Sequence, residues 1–317
     1  MSTTNNSVIL DVQKLNKRFG EVQAVKELSF QIKKGEVFGF LGPNGAGKTT
    51  TMRIITCFIP ASSGTITIQG LDIVENSLEI RKKIGYLPES NPLYNDMIVD
   101  EYMSFVGGLR GLKGQDLVKA KDTMYQVCGL TRITKRQIGK LSKGFRQRVG
   151  LAQAMIHNPE LLILDEPMSG LDPNQIIEIR GLIKKIGEEK TVIYCSHILS
   201  EVAATCSRIL IINDGVSVAT GTPDELTAKS GKSNQYSLRV KGDKDTVSTK
   251  LSALPVVLNV QTTPLTDDWV RATVNAEGTV DVGEDLFKCV VENGWSLAEL
   301  RREGTSLEDV FTQLTRG

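Results

Sequence analysis

The eight residues Gly42-Pro43-Asn44-Gly45-Ala46-Gly47-Lys48-Thr49 constrain this chain more than any other stretch, because they fit the phosphate-cradling pattern GxxxxGK[ST] at every fixed position. The setting fits as well. Glu36 to Leu41 reads as a buried strand before the loop, and Thr50 to Phe58 as a helix that stops ahead of Pro60. Glycines let backbone N–H groups turn inward and approach a β-phosphate closely, and the positive end of the following helix adds to the attraction. Lys48 can place a cation between the β- and γ-phosphates, and the Thr49 hydroxyl can ligate Mg²⁺. The bland alternative is a Gly-rich turn that happens to precede a helix. Strand and helix on either side weigh against it. The stretch implies a nucleoside triphosphate site in an α/β fold.

At 317 residues the chain exceeds one typical domain and suggests about two. Its 38 basic and 37 acidic residues nearly cancel, so no global field points to nucleic acid or to an anionic membrane surface. Five cysteines (Cys57, Cys128, Cys195, Cys206, Cys289) show no metal-ligand spacing and read as small buried residues of a reducing compartment. Met1 to Ser7 has no apolar signal core, and no apolar run approaches the roughly 18 residues that cross a bilayer. The expectation is a cytosolic chain that does not span a membrane.

Val8 to Val12, Val22 to Phe30 and Val37 to Leu41 alternate like an antiparallel hairpin layer, and residues 64–73 suggest a further short hairpin. From about 90 to 157 a helical insert interrupts the α/β core. The α/β rhythm returns with an apolar strand at Leu161–Leu164, a helix at 175–187, a strand at 191–195 and a helix at 199–206. A hairpin then turns through Asn213-Asp214-Gly215. Residues 229–235 are small and polar and read as a linker between a 1–228 domain and a 236–317 domain. The second domain has strand, helix, two strands, helix, strand and a final helix from Ser306 to Leu314, a split βαβ pattern of ferredoxin-like α+β type. Its Trp269 and Trp295 read as core.

A phosphate loop alone leaves the class of NTPase open. Five further motifs follow in order: Gly85-Tyr86-Leu87-Pro88-Glu89, then Leu141-Ser142-Lys143-Gly144-Phe145-Arg146-Gln147-Arg148, then Leu161 to Glu166, then Ser169-Gly170-Leu171-Asp172 and Ser196-His197. Asp165 and Glu166 end an apolar strand, where α/β folds place ligands; the bland reading of such a pair is a solvated turn. His157 lies in a helix and reads as structural.

The ordered set resembles the nucleotide-binding subunits of ATP-binding cassette (ABC) transporters over about residues 8–225. The resemblance implies ATP and Mg²⁺ as cofactors. It also implies Asp165, Thr49 and Glu89 near the metal, Glu166 as the base for the attacking water, and His197 as the γ-phosphate switch. Gly42, Pro43, Asn44, Gly45, Ala46, Gly47, Lys48, Thr49 and Thr50 would hold the triphosphate. Phe19 would stack on adenine, with a core Phe as the rival reading. Ser142 and Gly144 would cap the ATP of a second copy, with Asp172 at that interface, so one motif set per chain implies a head-to-tail dimer with two composite sites.

The signature departs from the commonest pattern at Lys143 and Phe145, and Glu89 stands where Gln is usual. Met168 replaces a common Thr and should pack. The strings Tyr86–Tyr94, Leu141–Arg148, Asp172–Gln175 and the tail Gly304–Phe311 look like exporter-type cassettes paired with separate permeases, especially the gliding-motility branch. A permease would dock on the insert, with Tyr94, Met97, Tyr102 and Met103 as apolar anchors; the rival reading is that some of these merely pack the insert. The family then implies a peripheral place on the cytoplasmic face of the cell membrane. The other class weighed is a soluble ABC ATPase of ribosome or DNA. Against it stand the single cassette, the lack of room for long coiled coils, and a tail (229–317) with 11 basic and 13 acidic residues.

Overall fold

The computed structural model describes residues 7–229, 234–277, 281–303 and 307–315. The chain divides into two compact units, Met1–Thr222 and Pro223–Gly317. The boundary therefore precedes the expected one at 228. The helix Pro223–Lys229 goes with the second unit, and most of the expected linker (230–233) lies outside the described residues.

The first unit begins with two long strands, β1 (Val8–Phe19) and β2 (Val22–Lys33), which pair antiparallel through several register shifts. After β3 (Val37–Leu41) comes helix α1 (Lys48–Ile55), then the short pair β4 (Ser63–Ile68) and β5 (Leu71–Asp72). Strands β2-β1-β4-β5 form one antiparallel sheet. The expectation that Val37–Leu41 belongs to this hairpin layer is wrong. β3 runs parallel between β8 (Thr191–Ser196) and β9 (Arg208–Asn213), in the middle of a six-stranded sheet. Its residues Phe38 to Leu41 are buried, as a strand covered on both faces requires.

That sheet has the order β10-β9-β3-β8-β7-β6, with β6 (Ile84–Leu87), β7 (Leu161–Asp165) and β10 (Val216–Gly221) completing it. All neighbours are parallel except β10 on β9. Between the two sheets lies one apolar core that includes Leu10, Ile32, Phe38, Phe40, Met52, Ile54 and Ile163. The Phe30 ring stacks on Phe38 with centroids 5.8 Å apart. Helix α1 is amphipathic, and its buried Met52, Ile54 and Ile55 anchor it in this core.

The remaining helices of the unit are α2 (Ser77–Lys83), α3 (Val99–Leu109), α4 (Gly114–Val127), α5 (Lys143–Met155), α6 (Pro173–Gly187) and α7 (Leu199–Thr205). Helices α3, α4 and α5 pack together as the insert. Tyr102 and Met103 are 3% and 0% exposed, so these two expected anchors pack the insert instead. Tyr94 (54% exposed) and Phe105 (40%) form the outward aromatic pair, 5.6 Å between centroids. Met168 is buried, and His157 Nε2 donates to Ile84 O, 3.0 Å away, as structural residues do.

The second unit opens with α8 (Pro223–Lys229) and continues through β11 (Asn234–Lys241), α9 (Lys244–Ser252), β12 (Val257–Pro264), β13 (Trp269–Ala276), α10 (Gly283–Glu292), β14 (Ser296–Glu303) and α11 (Leu307–Thr315). Its antiparallel sheet has the order β12-β13-β11-β14, the ferredoxin-like arrangement. Leu238, Val240, Val247, Leu251, Ala272 and Leu286 fill its core, with Trp295 packed at the margin. Among the described residues no helix is long and apolar enough to cross a membrane.

Candidate functional site

Parallel pairing brings the carboxyl ends of β3, β7 and β8 side by side. Leu41 stands opposite Ser196, and Asp165 opposite Cys195. The chain leaves these ends through Gly42, whose N–H donates to Ser196 O (3.4 Å), and through Glu166, whose N–H donates to Cys195 O (3.0 Å). Ligand sites of α/β sheets form at such edges.

The loop after β3 needs its glycines for two different reasons. At Gly42 a Cβ would lie 2.5 Å from Ile212 O, so the obstacle is space. At Gly47 φ is +96°, and a Cβ would also fall 2.5 Å from Ala24 O, so conformation and space both exclude a side chain. Gly47 caps α1 without any side-chain hydrogen bond, which leaves the first-turn N–H groups aimed at the loop's interior.

A cavity of about 360 Å³ opens over this loop. Asn44, Gly45 and Gly47 to Thr50 line it from the loop, Glu89 from beyond β6, Glu166 from β7 and His197 from β8. Lys48 is 6% exposed and donates to Gly42 O (2.8 Å) and Pro43 O (3.2 Å); its Nζ is 3.6 Å from Glu166 Oε1. The same Oε1 is 3.0 Å from His197 Nδ1. Glu166 is 7% exposed and holds φ at +49°, a conformation that costs a non-glycine residue on the order of 1–3 kcal/mol. The carboxylate is thus held by a strained backbone exactly where two basic side chains meet.

Asp165 lies beneath, 0% exposed, and neither of its oxygens has a hydrogen-bond partner among the described residues. Burial pushes its pKa up to about 6, with the nearby Thr49 hydroxyl pulling the other way and the charges of Glu166 and Glu89 adding to the rise. A buried carboxylate left without a partner fits a cation at that point. No group of three or more His, Cys, Asp or Glu gathers there among the described residues. The donor set of Asp165, the Thr49 hydroxyl and Glu89 therefore suits an ion whose other ligands are phosphate and water, which is the habit of Mg²⁺.

Four of the expected site residues lie apart from this cavity. Ser142 caps α5 by accepting from Phe145 N–H, and with Gly144 it lines a separate cavity of about 360 Å³ beside Gln175 and Glu178. Asp172 caps α6, accepting from Gln175 N–H at 2.9 Å. Phe19, at the end of β1, is 50% exposed with Lys17 Nζ 4.9 Å from its ring centre. Such exposure removes the core reading of this Phe. Sequence reasoning missed Ala24, whose backbone walls the phosphate loop from β2. It also missed Tyr194 and Glu201, buried behind Glu166.

The ABC transporter family profile matches residues 25–169. The linearmycin resistance ATP-binding protein LnrL of Bacillus subtilis (strain 168) is 33% identical over 308 residues, covering 97% of this chain and 98% of that protein. The chain belongs to the ABC transporter ATP-binding family. The bacitracin transport ATP-binding protein BcrA of Bacillus licheniformis is 34% identical, with 98% of each chain covered. Among solved structures, cbiO1 of Clostridium perfringens, part of the ABC transporter complex cbiONQ, superposes with a TM-score of 0.65 at 29% identity over 70% of this chain and 92% of that one. The dimeric bacterial ABC transporter cassette MJ0796 gives 0.61 at 25% identity over 67% and 98%. The activity of the family, ATP binding and hydrolysis in the service of an ABC transporter, is that of this chain.

Proposed function

We propose that this chain is the ATP-hydrolysing subunit of an export-type transporter, that two copies close head to tail on two ATP molecules, and that a separate permease follows their motion. The observation that carries it is the meeting of Lys48, Glu166 and His197 above the orphaned Asp165 at the mouth of the phosphate loop. The loop N–H groups and Lys48 bind the triphosphate, and Phe19 lies open for the adenine ring. Glu166 Oε1 takes the proton of the attacking water, and His197 holds water and γ-phosphate in line. Asp165 and Thr49, with Glu89 alongside, would hold Mg²⁺, which would supply neutralisation of the triphosphate's charge.

Ser142 and Gly144 lie outside the phosphate cavity, which supports their use on a partner's ATP at the N-terminus of α5. Tyr94 and Phe105 offer the permease an aromatic edge on the insert, and the complex sits on the cytoplasmic face of the cell membrane. Two relatives that match almost the whole chain carry names of linearmycin resistance and bacitracin transport, which favours the transport reading. Gliding motility is the narrower reading and rests on the Tyr86–Tyr94 and Leu141–Arg148 strings.

Glu166→Gln should bind ATP, stop hydrolysing it and accumulate as a closed dimer, seen by sizing in the presence of ATP. Turnover at the parental rate sinks the assignment of the base. Gentle solubilisation of membranes and weighing of what accompanies the tagged chain tests the permease. A multi-span protein in fixed ratio to two copies supports it, and ribosomal or DNA-bound material in its place overturns it.

A further inference from the structure

Behind the cavity, β8 and α7 carry a buried polar chain that the hydrolytic scheme above leaves unused. The Tyr194 hydroxyl donates to Glu201 Oε2 at 2.9 Å. The Ser196 hydroxyl lies 3.1 Å from the same oxygen and 3.3 Å from Glu166 Oε2. Ile198 N–H donates to Ser196 Oγ at 3.1 Å. Tyr194 and Ser196 are 0% exposed and Glu201 6%. A carboxylate at this depth costs several kcal/mol unless its hydrogen bonds are made. Here they are made, and they lead to Glu166.

The two oxygens of Glu166 have different neighbours. Oε1 faces Lys48 and His197, while Oε2 meets Ser196. The terminal torsion of a glutamate is broad, so a carboxylate held at one oxygen still swings. Fixing Oε2 fixes the direction of Oε1. Ser196 can do this only if its own oxygen is fixed, and a hydroxyl has one proton to give. Ile198 N–H fixes that oxygen, and Glu201 Oε2, which accepts from Tyr194, competes with Glu166 Oε2 for the single Ser196 proton.

We propose that Ser196 is a positioning residue for ATP hydrolysis: with its oxygen held by Ile198 N–H it gives its one proton to Glu166 Oε2, so that Oε1 is the oxygen presented to the attacking water, and Glu201 tunes this as the rival acceptor. The proposal rests on Glu166 being the base. Neither Ser196 nor Glu201 lines the phosphate cavity. The Ser196 side chain acts on the rate of the chemical step and not on ATP binding, because the phosphate loop makes no hydrogen bond to that side chain among the described residues.

The test is single-turnover ATP hydrolysis and equilibrium ATP binding by the full chain carrying Ser196→Ala, Glu201→Gln or Tyr194→Phe. Loss of positioning at this range predicts hydrolysis slower by on the order of 10- to 100-fold for Ser196→Ala, with ATP affinity unchanged, while Glu201→Gln, whose amide can donate to Ser196 Oγ and leave its proton for Glu166, should hydrolyse at or above the parental rate. Tyr194→Phe should slow hydrolysis as Ser196→Ala does but by less, and Ser196→Thr, which keeps the hydroxyl, should recover most of what Ser196→Ala loses. A parental rate in Ser196→Ala overturns the proposal, as does a Glu201→Gln variant as slow as Ser196→Ala. So does a parallel fall of affinity and rate, which is the mark of a purely structural role. If Glu201→Gln does not fold, the Ser196→Ala and Ser196→Thr pair decides alone. Glu166→Gln separates the two levels: an inactive Glu166→Gln beside a fully active Ser196→Ala removes the positioning role and leaves the base in place.

Discussion

Asp165 combines complete burial, two oxygens without a hydrogen-bond partner among the described residues and a pKa pushed up to about 6, chiefly by desolvation. Its folded value exceeds the unfolded one near 3.9, so ionising it opposes folding. The penalty is full above about pH 6 and fades as pH falls through 6 towards 4. In the nucleotide-free protein Asp165→Asn should therefore raise stability at pH 8 by on the order of 2–3 kcal/mol, with the gain shrinking by pH 5. Thermal melts of both proteins across that range check the sign; a gain that grows towards acid pH contradicts it. The same substitution should cripple hydrolysis, since it discards the group best suited to hold the cation. At this scale the sequence was informative where spacing is short. Lys48 and Thr49 are legible because their loop partners are a few residues away, and Asp165 with Glu166 because they end an apolar run. Tyr194 and Glu201 were not legible: a Tyr in a strand and a Glu in a helix look ordinary until the turn at Ile198 folds one onto the other.

Among the elements, α1 and the loop before it depend on a backbone state that only glycine adopts freely at Gly47 (φ +96°). Gly47→Ala forces a Cβ against Ala24 O and should cost on the order of 1–3 kcal/mol locally. Because β2 or the loop must shift to accept it, ATP affinity should fall at least about tenfold, which is 1.4 kcal/mol, while far-UV circular dichroism stays unchanged. An unaltered affinity shows that the loop tolerates the displacement. The elements were largely visible in the sequence, their partners less so. Alternation in Val37–Leu41 indicates a strand yet says nothing about neighbours, and β3 proved to lie in the parallel sheet, where β8 and β9 arrive from more than 150 residues away. Tyr102 and Met103 read as surface anchors because helical spacing alone does not say which face meets α5.

For the whole molecule the two proposed composite sites make a mixing experiment decisive. Lys48→Ala spoils the phosphate loop and Ser142→Ala the signature helix, so each variant alone should hydrolyse poorly. If Ser142 serves the partner's ATP, the mixed dimer contains one intact site and activity should return on mixing. No recovery, with mixed dimers verified, means that Ser142 acts within its own chain. A second prediction concerns the boundary. Helix α8 packs with α11, and its Leu226 is 1% exposed. A chain ending at Thr222 should stay monodisperse and bind ATP, whereas one ending at Ala228 keeps α8 without its cover and should aggregate. Light scattering distinguishes them. The sequence placed the boundary near 229 because the polar run there is conspicuous, but a polar run marks a loop, and only packing decides which unit owns the helix before it.

The contact between Lys48 Nζ and Glu166 Oε1 bears on when the enzyme can act. Both side chains are buried and lie 3.6 Å apart, so a phosphate group that takes up the lysine's charge also draws a cation away from the carboxylate. With Glu166 as the proposed base, filling the phosphate loop and freeing the carboxylate would be one event.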